Sequence, residues 1–162
     1  MIREYTPTDL EAAVSLFSRA VREIASRDYS TDQVSAWAPE RPDLAAWARR
    51  LETGAVFVCE RNAGIAGFVR IDGTGCVELL YVDPQVQRQG VARALIHRVV
   101  SWALGQGIHR LHYEVSITAR PFFESVGFRV ATDQLVERRG VLFHNFRMER
   151  DINAESRLAA GR

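Results

Sequence analysis

The stretch Glu78-Leu79-Leu80-Tyr81-Val82-Asp83-Pro84-Gln85-Val86-Gln87-Arg88-Gln89-Gly90-Val91-Ala92 decides how this chain is read. Glu78 to Val82 is apolar but for one acid and suits a strand. Asp83-Pro84 ends that strand, since proline has no N–H to give to a ladder. Beyond a polar loop, Ala92, Leu95, Ile96, Val99, Val100 and Ala103 recur at helical spacing up to Gly105 and Gly107. A strand therefore feeds through a short turn into a helix N-terminus, where amides lack intrahelical acceptors and the dipole is positive. Gly90 and Ala92 keep the backbone open to a bulky anion, and Gln87 and Arg88 add donors. Two readings stay open on this physics: a cradle for a phosphorylated anion such as a pyrophosphate, or a tight turn that binds nothing.

Working outward, Ala55–Glu60, Ile65–Asp72 and Cys76–Val82 are rich in β-branched and aromatic residues. They are separated by Asn62-Ala63-Gly64 and Gly73-Thr74-Gly75, as an antiparallel meander requires. Upstream, Ile2–Tyr5 reads as a strand, and Thr8 with Glu11 as a capping box opening a helix that buries Leu10, Val14, Phe17, Val21 and Ile24. A polar break at 26–30 precedes a short helix with Val34 and Trp37, stopped by Pro39. Pro42-Asp43 opens another, with Leu44, Trp47 and Leu51 inward and Gly54 at its end. Downstream come a strand at Leu111–Val115, a short helix at Ala119–Val126 ended by Gly127, and a hairpin of Phe128–Glu137 with Val141–Met148 across Arg138-Arg139-Gly140. This order predicts one α/β domain over residues 1–150 on a mixed sheet flanked by helices, and a frayed polar tail over 151–162.

With 162 residues, 47% hydrophobic and 25% charged, the chain has enough material for one core without disulfide or metal staples. Its net charge of +1 gives no electrostatic reason to expect a nucleic-acid or membrane partner. All 21 basic residues are Arg, which excludes a Walker-type phosphate loop and Schiff-base lysine chemistry. Cys59 and Cys76 sit in separate apolar stretches and read as reduced core thiols, and no secretory leader or membrane-length apolar run is present, so a cytoplasmic location is expected. His97 reads as a surface residue and His144 as packing or surface. His109 and His112 fall on opposite faces of a strand, so no metal site is expected.

Gln87-Arg88-Gln89-Gly90-Val91-Ala92 resembles the Gln/Arg-x-x-Gly-x-Gly/Ala acyl-CoA loop of the GCN5-related N-acetyltransferases (GNAT). Ala119-Arg120-Pro121-Phe122-Phe123-Glu124-Ser125-Val126-Gly127-Phe128 is similar to that family's second segment, usually Ala-x-x-x-Tyr-Glu-x-x-Gly-Phe. The resemblance runs from about residue 2 to 149. Tyr29-Ser30, Ser35-Ala36-Trp37-Ala38, Ser116-Ile117-Thr118-Ala119, Pro121-Phe122-Phe123-Glu124 and His144-Asn145-Phe146 look like the YafP-like bacterial branch within it. It implies a mixed, mostly antiparallel sheet whose strands at Val82 and Val115 splay apart. Acetyl-CoA is the implied acyl donor. Its pantetheine would bond backbone from Leu80 through Tyr81 to Val82, and its pyrophosphate would sit on the amides of the loop from Gln87 and Arg88 through Gln89, Gly90 and Val91 to Ala92. Its thioester would lie near Glu78, with Ser116 and Phe123 beside the thiol.

The implied reaction is direct acetyl transfer to an amine, expected to be that of a small molecule. Other readings are a non-catalytic acyl-CoA-binding module and a protein N-terminal or lysine acetyltransferase. A homodimer is left open. By strand alternation Glu78 shares a face with Leu80 and Val82, and an arriving ammonium must lose a proton before it attacks. Glu78 occupies the strand region where several relatives carry such a base, so the resemblance implies that role for it, against a purely structural strand carboxylate. Phe123 departs from the family's tyrosine, whose hydroxyl is thought to protonate the departing thiolate. Either Ser116 or Tyr113 replaces that donor, or the thiolate leaves unaided. Trp37, Trp47 and Trp102 suit core positions, and Trp37 and Tyr29 are also candidates for the acceptor site.

Overall fold

The computed structural model describes residues 1–153. The chain runs β1 (Ile2–Glu4), α1 (Leu10–Glu23), α2 (Thr31–Trp37), α3 (Leu44–Leu51), β2 (Ala55–Arg61), β3 (Gly64–Ile71), β4 (Cys76–Val82), α4 (Val91–Gly105), β5 (Arg110–Ser116), α5 (Arg120–Ser125), β6 (Arg129–Arg138) and β7 (Val141–Asp151). The strands form one seven-stranded sheet in the order β1-β2-β3-β4-β5-β7-β6. β4 and β5 are its parallel pair; the other neighbours are antiparallel. α1 to α3 cover one face over Leu16, Phe17, Val21, Val58, Phe68 and Leu79. α4 and α5 cover the other over Val69, Val77, Leu95, Val99, Val115 and Phe123. Three layers bury the apolar stripes that the two periodicities mark out.

Two features of the sheet position the site. The parallel pairing of β4 with β5 consists of Cys76↔His112 and Val77↔Tyr113. Beyond it the strands diverge: among the described residues no ladder pair joins Glu78–Val82 to β5, and only the Tyr113 phenol reaches the Leu80 amide. At the same point β3 pairs Arg70 with Leu79 but Ile71 with Val77, so Glu78 is the extra residue of a β-bulge. Alternation does not carry across it. Val77 packs under α4, Leu79 under α1–α3, and Leu80 and Val82 again toward the α4 side. Glu78 therefore does not share a face with Leu80 and Val82. The bulge turns its carboxylate to the α3 side, where it meets Arg70 and Arg50.

Several local expectations change. The helical segment is opened two residues earlier than Thr8–Glu11: Asp9 Oδ2 accepts from the Thr6 amide at 2.9 Å, and Arg3 clamps Asp9 at 2.8 and 2.9 Å. Leu44 is exposed rather than inward, because Asp43 caps α3 through the Ala46 amide and leaves Leu44 on its outer first turn. Trp37, Trp47 and Trp102 are half-buried. β7 runs past residue 150, Ile152 is fully buried, and its amide donates to His109 O at 2.8 Å. The rest of the expected polar tail lies outside the described residues. Cys59 is buried and Cys76 half-buried; both are free, and burial pushes the Cys76 thiol up to about 11. No helix among the described residues is long and apolar enough to cross a membrane.

Candidate active site

A single cavity of about 1330 Å³ follows the gap between β4 and β5, from the start of α4 to the space under α1–α3 and the β6–β7 hairpin. Its α4 end is backbone. Arg88 and Gly90 both adopt left-handed φ, 61° and 82°, which turns successive N–H groups toward one side as an anion-binding nest does. The first bond inside α4 is Ala94 N–H to Gly90 O, so the Val91, Ala92 and Arg93 amides have no intrahelical acceptor. Gly90, as N-cap, offers no side chain to take them. Gln87, Arg88, Gly90, Val91 and Ala92 line the cavity. Gln89 does not: Arg61 holds both its side-chain and its backbone oxygen at 3.1 Å, anchoring the loop from behind. Leu80, Tyr81 and Val82 form the next stretch of wall.

Near the splay, Glu78 accepts a short hydrogen bond from Arg70 and faces Arg50 at 3.6 Å; both contacts fall on Oε2, leaving Oε1 for a bound amine or water. Arg70 is 7% exposed, and its remaining donors reach Arg50 O, Thr53 O and Thr53 Oγ1 at 2.8 to 3.0 Å. One guanidinium thus fixes the Glu78 carboxylate and the C-terminal turn of α3 together. Arg70 was not foreseen from sequence, although a lone Arg in Gly-Phe-Val-Arg-Ile is the signal that a buried partner exists.

The thiol end is apolar. Phe123 is 1% exposed, with ring centroids of Tyr113, Phe122 and Phe128 at 5.0, 5.2 and 5.1 Å. Ser116 Oγ accepts from the Ala119 amide at 3.1 Å, so its hydroxyl hydrogen stays available. Burial pushes the Tyr113 phenol well above its ordinary value, with the Leu80 backbone amide, Arg50 and Arg138 offsetting part of the rise. Ser116, Tyr113 and Phe123 all line the cavity.

Tyr29 and Trp37 line it as well. The Tyr29 hydroxyl donates to His144 O at 2.7 Å and accepts from the Ile117 amide at 2.9 Å, so it ties the α1–α2 segment to β7 and to the end of β5. Only its ring remains for a ligand. Trp37 Nε1 donates to Tyr81 Oη at 3.3 Å, edge-on to Tyr29 and Phe143. His144 lies against Asp133 and the Phe146 ring, away from these groups. Among the described residues no cluster of His, Cys, Asp or Glu could hold a metal ion.

Residues 25–150 match the family model of the acetyltransferase (GNAT) domain. The chain is 40% identical over 148 residues to the N-acetyltransferase YafP of Escherichia coli K12, an uncharacterised protein, covering 91% of this chain and 93% of that one. It superimposes on a GCN5-related N-acetyltransferase from Rhodopseudomonas palustris with a TM-score of 0.90 at 26% identity, over 94% and 95% of the two chains. PaiA N-acetyltransferase from Thermoplasma acidophilum, solved with coenzyme A, shares the fold at a TM-score of 0.77 and 16% identity, over 93% and 98%. With a splayed parallel pair opening onto free helix amides, and with these matches across nearly its whole length, the chain belongs to the GNAT family of N-acetyltransferases.

Proposed function

We propose that this protein transfers the acetyl group of acetyl-CoA directly to the amine of a small molecule. The observation that carries this reading is that one continuous cavity joins the free amides of the α4 loop to the unbonded oxygen of Glu78. The pyrophosphate sits on the amides of Val91, Ala92 and Arg93, with Arg88 and Gln87 at its flank. Pantetheine runs along the Leu80–Val82 backbone that β5 leaves unpaired, and the acetyl end reaches the splay. PaiA, of the same fold, was solved in complex with coenzyme A, which supports coenzyme A as the ligand class.

The acceptor ammonium gives a proton to Oε1 of Glu78, directly or through one water. The neutral amine then attacks the thioester carbonyl, a C–N bond forms, the nitrogen sheds its second proton to water, the C–S bond breaks, and coenzyme A departs as a thiolate. Its modest basicity lets it leave without a proton from position 123. A cavity lined by helices and a hairpin has room for a small acceptor. The two free cysteines and the donor fit a cytoplasmic enzyme. Phe123 favours one other reading, a binding module that does not turn over. Release of coenzyme A thiol from acetyl-CoA over a panel of small amines, amino acids and peptides tests both. Acceptor-dependent release supports the enzyme, and tight acetyl-CoA binding without release from any acceptor refutes it.

A further inference from the structure

The part of the cavity beyond Glu78 is walled by aromatic rings and by guanidinium groups that the fold itself does not consume. Arg70 and Arg139 are committed, the latter donating to Ala36 O at 2.5 Å. Arg50 and Arg138 are not. Arg50 lies 3.6 Å from Glu78 and 5.5 Å over the Trp47 ring, and Arg138 lies 3.7 Å from Glu114. Both separations are longer than a hydrogen bond, so the donors of each remain open. They come from different elements, α3 and the end of β6, and both line the one cavity. Arg27 and Arg41 also line the cavity, with no ion pair among the described residues. Three acids line the cavity: Asp43 caps α3, Glu78 is bonded to Arg70, and Glu114 faces Arg138 at 3.7 Å, so the lining guanidiniums, Arg27, Arg41, Arg50, Arg88, Arg93, Arg138 and Arg139, outnumber them.

We infer that the acceptor is a primary amine that also carries an anionic group, carboxylate or phosphate, on an apolar or aromatic body. This rests on the acetyl-transfer reading above. Arg50 and Arg138 hold the anion, and the body lies on the rings of Trp37, Trp47 and Phe143. The ammonium is left facing Oε1 of Glu78. A guanidinium pair binds an oxyanion through charge-assisted hydrogen bonds that a neutral amine cannot form. The same guanidiniums repel a polyamine, whose further cations would meet positive charge.

The test uses acceptors matched in their body: phenylalanine, phenylalaninamide, phenethylamine and tyramine O-phosphate, with spermidine for contrast, at saturating acetyl-CoA. The two anionic members are expected to show kcat/KM roughly tenfold or more above the neutral ones. Their order separates carboxylate from phosphate. In Arg138→Gln the anionic preference should collapse, with the change in acceptor KM rather than in acetyl-CoA KM. Equal kcat/KM across the set, or a preference for spermidine, overturns the inference while acetyl transfer stands. If nothing turns over, N-acetylphenylalanine and N-acetylphenethylamine are titrated calorimetrically into the coenzyme A complex. Selective binding of the anionic compound upholds the anion site although the transfer reading has failed, and binding of neither overturns it.

Discussion

Glu78 lines the cavity, and Arg70 and Arg50 both lie against its Oε2, which leaves Oε1 for a ligand. That division lets a single carboxylate be held in place and still accept a proton. Glu78→Gln keeps the shape and removes the basic oxygen, so steady-state acetyl transfer should fall by roughly 10²–10⁴ near neutral pH. The deficit should shrink as pH rises and more acceptor is neutral before it binds. A rate within about twofold of wild type across that range would return Glu78 to a structural role. At Phe123 the expectation is the opposite. The ring is sealed among Tyr113, Phe122 and Phe128, so the hydroxyl of Phe123→Tyr would be buried without a partner and should cost stability. Single-turnover transfer should change by less than about tenfold, since amine deprotonation rather than thiolate departure limits the reaction. A larger gain in rate would show that the leaving group does need a proton.

Among the elements, α4 carries the loop, and what sets its depth against the sheet is Gly67 of β3. A Cβ there would lie 2.8 Å from Val91 Cγ1, 3.0 Å from Tyr81 O and 3.1 Å from Leu95 Cδ1. Gly67→Ala should therefore push the first turn of α4 outward and destabilise the fold by about 1–3 kcal/mol. Because that turn supplies the free amides, acetyl-CoA affinity should weaken as well, measured by calorimetry on the folded variant. Unchanged affinity would mean that the loop adjusts independently of its helix. The strands, helices and their order were legible in the sequence, since periods of two and of 3.6 rest on side-chain direction alone. So was the loop, whose small residues lie beside an evident strand end. The bulge was not legible. Val-Glu-Leu-Leu-Tyr has the same alternation with or without an extra residue, and only the pairing of Arg70 with Leu79 but of Ile71 with Val77 reveals it. Every statement about the direction of Glu78 depended on that pairing. Arg50 and Arg138 were hidden for a similar reason, because α3 and the β6–β7 turn meet only through tertiary packing.

At the scale of the molecule, the sheet consists of two parts, β1–β4 and β5–β7, joined in the ladder by two residue pairs of β4 and β5. Tyr29 adds a clasp, binding backbone of β7 and the residue after β5 from the α1–α2 side. A ligand lying in the open part of the seam touches both parts and exists as a site only when they are assembled. It binds the native state and not the unfolded chain, so acetyl-CoA should raise the melting temperature by mass action. At a hundred times its Kd the stabilisation is about 2.7 kcal/mol. For a chain of this size that corresponds to a rise of roughly 5–11 °C, at about 2–4 °C per kcal/mol. Gly90→Asp is the informative control. A Cβ at Gly90 meets no atom within 4 Å, but the residue holds φ +82°, which an L side chain adopts with strain. The new carboxylate would stand where the pyrophosphate belongs. The variant should unfold cooperatively at a somewhat lower temperature and gain little from acetyl-CoA. Adenosine, which lacks the pyrophosphate, should stabilise neither protein. A wild type that gains nothing at millimolar acetyl-CoA would mean that the free amides at the start of α4 are not a ligand site. A Gly90→Asp protein that gains as much as wild type would place the pyrophosphate elsewhere along the seam.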